Sequence, residues 1–130
     1  MSNYFDSGTR STERFRTLAA SELPTVQLGE GITADVLLGE RLNINVVTLG
    51  PNVLAPVHTH AEEQMGYVVR GSCDFIDAER TVRLEAGDTY HALPGAPHGA
   101  RAHADGCLII DVFSPPRSGL ADMVARAARS

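Results

Sequence analysis

Residues 58–71 read His58-Thr-His60-Ala-Glu-Glu-Gln64-Met-Gly-Tyr67-Val-Val-Arg-Gly71, and the rest of the chain is interpreted outward from this segment. In an extended strand, side chains two positions apart point to the same face, so His58 and His60 would present two imidazoles together. Gln64 follows four residues later, and His98 lies downstream in a Pro-Gly-Ala-Pro-His-Gly turn. Neighbouring strands could bring these two donors to the pair, so the four side chains are candidate ligands for one divalent metal ion.

Turn residues divide the chain between Pro24 and Pro116 into many short apolar segments. Such segments at near-regular spacing predict an all-β sandwich or barrel. A short helix is expected before them, over Thr12–Ser21, and an amphipathic helix after them, over Gly119–Arg129. The predicted strands are Thr33–Leu38, Leu42–Leu49, Leu54–His58, Gln64–Arg70, Ser72–Ile76, Arg80–Leu84, Thr89–Leu93, Gly99–His103 and Cys107–Phe113.

Composition limits the class of protein. A length of 130 residues is typical of a single domain. The net charge is −5 and the arginines are scattered, so neither nucleic acid nor a membrane is an expected partner. The N-terminus lacks the pattern of a secretory signal, so we expect a cytoplasmic protein. Cys73 and Cys107 lie in apolar segments and are expected to be buried, reduced thiols.

Two motifs resemble those of the cupin family. The first is the segment from Gly50 to Gly71, which contains the histidine pair, and the second is Gly87-Asp88-Thr-Tyr-His-Ala-Leu-Pro94-Gly95-Ala-Pro97-His98-Gly99. The resemblance implies the cupin double-stranded β-helix, a jelly-roll barrel, and it also implies a homodimer. We therefore expect an N-terminal arm over residues 1–23, the barrel over residues 24–117 and a C-terminal helix within residues 118–130.

The fourth metal ligand is Gln64 by the family's spacing, where a glutamate is more usual. Glu63 is an alternative one residue short of that position, and Glu62 shares strand parity with His60 but falls in the expected turn. Otherwise both glutamates are expected to be solvated loop residues. Three imidazoles and one amide oxygen are neutral, so a bound ion would keep its full +2 charge as a Lewis acid. This nitrogen-rich set suits Zn, Fe(II), Ni or Mn better than Ca or Mg.

The C-terminal strand contains Asp111-Val-Phe113-Ser-Pro-Pro-Arg117, which resembles the closing segment of the KdgF-like cupins of pectin degradation. That resemblance implies a metal-dependent enzyme that opens the ring of an unsaturated uronate, with Asp111, Phe113 and Arg117 as functional residues. Asp111 suits general acid–base catalysis, and Arg117 suits bidentate binding of a substrate carboxylate. Phe113 shares a strand face with Asp111 and suits packing on the substrate ring. Alternatively, the three residues are a turn cap, a core residue and a surface cation.

Other functions stay open at this point. A polyketide cyclase or a cupin dioxygenase would use the same metal site, although Gln64 disfavours the dioxygenase. A non-catalytic ligand-binding module would bind a small molecule without turnover. His91 and His103 are expected at the surface or behind the ligands, and Met65 and Tyr67 on the opposite face of the sheet from Gln64.

Overall fold

The structure is a computed structural model that describes residues 15–129. Within that range, the chain forms antiparallel strands and one helix, preceded by a single 3-10 turn at Ala20–Glu22. The elements are β1 (Thr25–Gly29), β2 (Ile32–Leu38), β3 (Asn43–Leu49), β4 (Leu54–His58), β5 (Glu63–Ile76), β6 (Thr81–Glu85), β7 (Thr89–Ala92), β8 (His98–Ser114) and α1 (Leu120–Arg129).

Two long strands, β5 and β8, organise the sheet. They pair with each other from Glu63 opposite Ser114 to Ile76 opposite Gly99. At one end of this ladder, β8 pairs with β3, which is followed in the sheet by β2 and β1, and β5 pairs with β7. At the other end, β8 pairs with β4 and β5 pairs with β6. The sheet therefore has two halves that share the β5–β8 ladder, and their buried residues form one core. This arrangement confirms the predicted all-β jelly roll.

Strands β5 and β8 each correspond to two shorter strands in the sequence prediction. The predicted turn at Arg70-Gly71 is wrong because β5 runs through it, and the predicted break before Cys107 is wrong because β8 also continues. Gly71 has a φ of 78° and Gly106 a φ of 75°, and the β5–β8 register shifts on both sides of Gly71. A Cβ on Gly71 would lie 2.2 Å from the Gly106 carbonyl oxygen. These glycines therefore bend the long strands at a β-bulge instead of ending them.

The short helix predicted over Thr12–Ser21 is wrong in the part that the structure describes. Residues 15–19 have no regular structure and the helical turn is confined to Ala20–Glu22, while the start of the predicted helix lies outside the described residues. The Phe15 ring is 90 % exposed, so it buries little surface to stabilise a helix this short. Strand β1 was not predicted, because Val26 is its one buried residue and gives no visible alternation.

The predicted C-terminal helix is confirmed as α1. Leu120 is buried in the main core, and the other residues of the apolar stripe pack against it, namely Met123, Val124 and Ala127. The helix therefore covers part of the barrel and supplies side chains to the cavity described below. Across residues 15–129, no helix has both the length and the apolar character needed to span a membrane.

Cys73 and Cys107 are free and buried, as predicted. A hydrogen bond with Cys107 and burial raise the pKa of the Cys73 thiol above its ordinary value. The Cys73 thiol is therefore protonated and belongs to the packing of the core.

Candidate metal centre

Three histidines converge inside the barrel. His58 ends β4, His60 follows in the β4–β5 turn, and His98 begins β8, where the strand register places it opposite His58. Their ring centroids are 4.7 to 5.5 Å apart, and one ligand atom from each lies within 4.8 Å of the others. His58 is exposed whereas His98 is buried, so the cluster extends from solvent into the barrel.

Backbone carbonyls fix the tautomer of each imidazole. The Nδ1–H of His58 donates to the Pro56 carbonyl (2.8 Å), and the Nδ1–H of His98 donates to the Ala96 carbonyl (2.8 Å). The Nδ1–H of His60 donates in the same way to the carbonyl of Glu62 (3.0 Å). Because a carbonyl only accepts, each neutral ring carries its proton on Nδ1 and leaves the Nε2 lone pair free. Burial also lowers the pKa of His98, which favours the neutral ring.

Gln64 directs its amide oxygen at the same point. Its Oε1 lies 2.9 Å from Nε2 of His60 and 3.0 Å from Nε2 of His98. The orientation of the amide is set from behind, because the Tyr90 hydroxyl donates to Asp111 and can only accept from the Gln64 Nε2–H (2.7 Å). A chain of hydrogen bonds therefore runs from Asp111 through Tyr90 to Gln64.

The four donors fit a divalent cation. The three Nε2 atoms and the Gln64 Oε1 are all acceptors, and lone pairs that face each other at about 3 Å repel unless a cation or a proton lies between them. Neutral imidazoles with one amide oxygen match the preferences of Zn, Ni, Fe(II) or Mn. The structure thus brings together His58, His60, Gln64 and His98, the set predicted from the sequence.

Asp111 is a buried carboxyl group beside this centre. Burial raises its pKa to about 6, although the hydrogen bonds from Tyr90 and Gln64 act in the opposite direction. Burial and the charge of Asp111 raise the pKa of Tyr90 well above its ordinary value, so the phenol stays protonated. Asp111 is therefore suited to exchange a proton near neutral pH.

A cavity of about 380 Å³ connects the histidines to the three residues predicted to be functional. Phe113 is 5 % exposed, and its ring centroid lies 5.6 Å from that of His60. The Arg117 side chain, about one third exposed, stands at the rim. The polar and aromatic lining residues are Asn45, His58, Gln64, Phe75, Tyr90, His98, Asp111, Phe113, Arg117 and Ser118.

The two glutamates of the β4–β5 turn have different surroundings. Glu63 points away from the centre and pairs with Nε2 of His91 (2.6 Å), with both side chains 44 % exposed. Glu62 was expected to be a solvated loop residue, and this expectation is wrong because it is 5 % exposed. Its carboxylate lies beside His60 and Arg117 without joining the histidine cluster. The turn folds back on the barrel, which sequence parity alone does not reveal.

The remaining histidine and outer-face predictions agree with the structure. The Nε2–H of His103 donates to Oδ1 of Asp74 (2.9 Å), and its Nδ1 accepts from the Ser72 hydroxyl (2.7 Å), away from the cavity. Met65 and Tyr67 are about half exposed on the face of β5 opposite to Gln64.

Tyr90 is the site residue that the sequence reasoning did not single out. It comes from β7, one position before His91, and its ring stacks on Phe75 with centroids 4.2 Å apart. The available signal was Gly66, which lies opposite Tyr90 in the β5–β7 register. A Cβ on Gly66 would lie 2.0 Å from the Tyr90 ring, so this glycine makes room for it.

The fold and the centre define a small jelly-roll protein with a histidine-rich site inside its barrel. Residues 45–113 match the model of the Cupin_2 family, described as the cupin domain. This match covers more than half of the chain, and the chain belongs to the cupin family.

Two KdgF proteins are among its relatives. The pectin degradation protein KdgF of Dickeya dadantii is 31 % identical over 100 residues, which cover 75 % of this chain and 90 % of the relative. The structure of KdgF from Halomonas sp. has a TM-score of 0.75 at 27 % identity and covers 82 % of this chain and 99 % of the other. An RmlC-like cupin from Shewanella frigidimarina has a TM-score of 0.73 at 26 % identity, with 84 % and 96 % covered.

Proposed function

We propose that this protein is a metal-dependent enzyme that opens the ring of a 4,5-unsaturated uronate to give the linear keto acid. The observation that carries the proposal is the buried Asp111, which shares one cavity with the histidine cluster and with Arg117. The similarity to KdgF proteins supports the same substrate class. When bound at the centre, the metal ion supplies Lewis acidity toward a substrate oxygen.

Arg117 and Phe113 position the substrate in this scheme. The guanidinium at the rim binds the uronate carboxylate through two parallel hydrogen bonds. The Phe113 ring, whose centroid lies 5.6 Å from that of His60, packs against the flat, unsaturated part of the sugar ring. In this scheme the anomeric hydroxyl faces Asp111, which lines the same cavity.

Asp111 moves the proton that the reaction requires. It takes the proton of the anomeric hydroxyl, and the bond between the anomeric carbon and the ring oxygen breaks with its electron pair left on that oxygen. The resulting enolate accepts the proton back on carbon and becomes the keto acid, so the reaction is an isomerisation without a co-reactant. The raised pKa of Asp111 suits a group that must both accept and return a proton.

The test is a rate measurement with an unsaturated galacturonate and the metal-loaded protein. We expect the ultraviolet absorbance of the unsaturated acid to decay faster than in the spontaneous reaction, and Asp111→Asn to reduce this acceleration by about 10²–10⁴-fold. Asp105→Asn is the matched control, because Asp105 is an exposed aspartate of the same strand. A rate equal to the spontaneous one, with metal bound, would rule out the proposal.

A second candidate is the cyclisation of an aromatic polyketide, and the apolar part of the cavity lining favours it. These apolar side chains suit a substrate with a hydrocarbon face more than a sugar. Turnover of an aromatic polyketide in place of the uronate would support this candidate. The apolar lining residues are Leu28, Ile32, Val47, Leu49, Ala55, Pro56, Ala100, Ile109, Leu120 and Met123.

A further inference from the structure

We infer that Glu62 is a positioning residue that holds Arg117 at the cavity rim. Its carboxylate lies between the β4–β5 turn and the segment that follows β8, and it touches both. The inference rests on the proposed function only in taking Arg117 as the group that binds the substrate's carboxylate.

The first observation is the environment of the Glu62 carboxylate. Its side chain is 7 % exposed, and its Oε1 is the one buried side-chain oxygen among residues 15–129 without a hydrogen-bond partner. Nη1 of Arg117 lies 3.6 Å from that oxygen, and Nδ1 of His60 lies 3.4 Å from it. A buried carboxylate is strongly unfavourable without a cation nearby, so the fold that buries Glu62 also draws the guanidinium of Arg117 to this place.

The second observation is a pair of contacts to consecutive backbone groups. The N–H of Ser118 donates to Oε2 of Glu62 (3.2 Å), and the N–H of Arg117 donates to Oδ1 of Asn43 (2.8 Å). Asn43 is 1 % exposed and its own amide donates to Asn45 (3.0 Å), so this second anchor is rigid. The segment carrying Arg117 is thus held at two points, one from β3 and one from the metal-binding turn.

These contacts have a consequence for anion binding. The Arg117 guanidinium has five N–H donors, and within residues 15–129 its Nη1 contacts only the Ser118 carbonyl (3.4 Å) and the Glu62 carboxylate. As far as these described residues go, the other edge of the guanidinium is available to a ligand carboxylate in the cavity. Because the side chain is already ordered, binding does not have to immobilise its rotatable bonds, and this raises affinity.

The test separates the position of the Glu62 carboxylate from its charge. Glu62→Asp keeps the charge but withdraws the carboxylate by about 1.5 Å, beyond reach of the Ser118 N–H. Glu62→Gln removes the charge but keeps an acceptor at the same place. If Glu62 positions Arg117, both variants should bind D-galacturonate about tenfold more weakly, because the aspartate carboxylate no longer reaches the Ser118 N–H and the glutamine amide no longer attracts the guanidinium. If Glu62 acts only by repelling anions, the glutamine variant should bind more tightly and the aspartate variant should be unchanged.

Two measurements are made on the zinc-loaded protein. Calorimetry gives the affinity for galacturonate, which lacks the double bond and is not converted. NMR of the arginine Nε–Hε groups, with Arg117→Lys used to assign the signal, reports the order of Arg117 without any ligand. Glu63→Asp and Glu63→Gln are matched controls, because this neighbouring glutamate is exposed and pairs with His91.

A double-variant cycle decides between the outcomes. Glu62→Asp should have no further effect on affinity in an Arg117→Ala background, because its effect passes through Arg117. An equal loss in both backgrounds, or an Arg117 signal unchanged by Glu62→Asp, would overturn the inference. The NMR result stands even if the protein does not convert unsaturated uronates, so failure of the proposed function and failure of this inference are distinguishable.

Discussion

Replacing Tyr90 by phenylalanine should weaken metal binding without disturbing the packing around it. The ring stacked on Phe75 is kept, and only the hydroxyl between Gln64 and Asp111 is removed. Its bond to the carboxylate contributes about 1.5–3 kcal/mol and its bond from the Gln64 amide about 1 kcal/mol. Asp111 can take up a proton once the bond is lost, which limits the cost. We therefore expect the free energy of unfolding of the metal-free protein to fall by about 2–3 kcal/mol.

The effect on the metal follows from the orientation of Gln64. Without the hydroxyl, the Gln64 amide keeps only its hydrogen bond to Asp111, so its oxygen is held less firmly toward the imidazoles and we expect affinity for Zn or Ni to fall about tenfold. Competition with a chromophoric chelator measures this affinity, and urea denaturation measures stability. Tyr67→Phe is the control, because Tyr67 is 47 % exposed on the outer face of β5 and should change neither quantity. Wild-type metal affinity in Tyr90→Phe would show that Tyr90 does not orient Gln64.

Four other predictions follow from the structure. Zn, Ni, Fe(II) or Mn should raise the melting temperature, whereas Mg and Ca should not. At a metal concentration a thousand times Kd, binding should increase the free energy of unfolding by about 4 kcal/mol. The rise in melting temperature should disappear with a chelator or in His98→Ala. Gly66→Ala should destabilise the protein by about 1–3 kcal/mol in urea denaturation, because its Cβ would lie 2.0 Å from the Tyr90 ring, while Gly29→Ala, with 3.4 Å to its nearest side chain, should be milder. Backbone N–H groups hold the pKa of Asp77 below its ordinary value. The contribution of Asp77 to stability is therefore present above about pH 4 and is lost as the pH falls through the lowered pKa of the folded state. Asp77→Ala should thus lower stability at pH 7 and have little effect in strong acid, and equal effects at both pH values would contradict this. Light scattering should give twice the chain mass of 13.9 kDa if the expected homodimer forms.

Several parts of the centre could be anticipated from the sequence because they depend on local spacing. The interval of two between His58 and His60 fixes a shared direction at the end of a strand, and the interval between Asp111 and Phe113 does the same in β8. Short apolar segments between turn residues predicted most strands to within one or two positions. The breaks at Gly71 and Gly106 were wrongly placed because a glycine in a turn and a glycine in a bulge have the same local sequence signature.

The sequence by itself determined the all-β class, the set of metal-type donors and the strand that carries Asp111, because each follows from periodicity or a motif along the chain. Only the tertiary structure decided that Tyr90 stands behind Gln64 and that Glu62 is buried against Arg117. These contacts join residues 26 and 55 positions apart, and they depend on how β5, β7 and the segment after β8 meet in space. The spacing of residues along the chain does not predict such long-range contacts, since they are fixed by strand register and by the direction in which a turn folds.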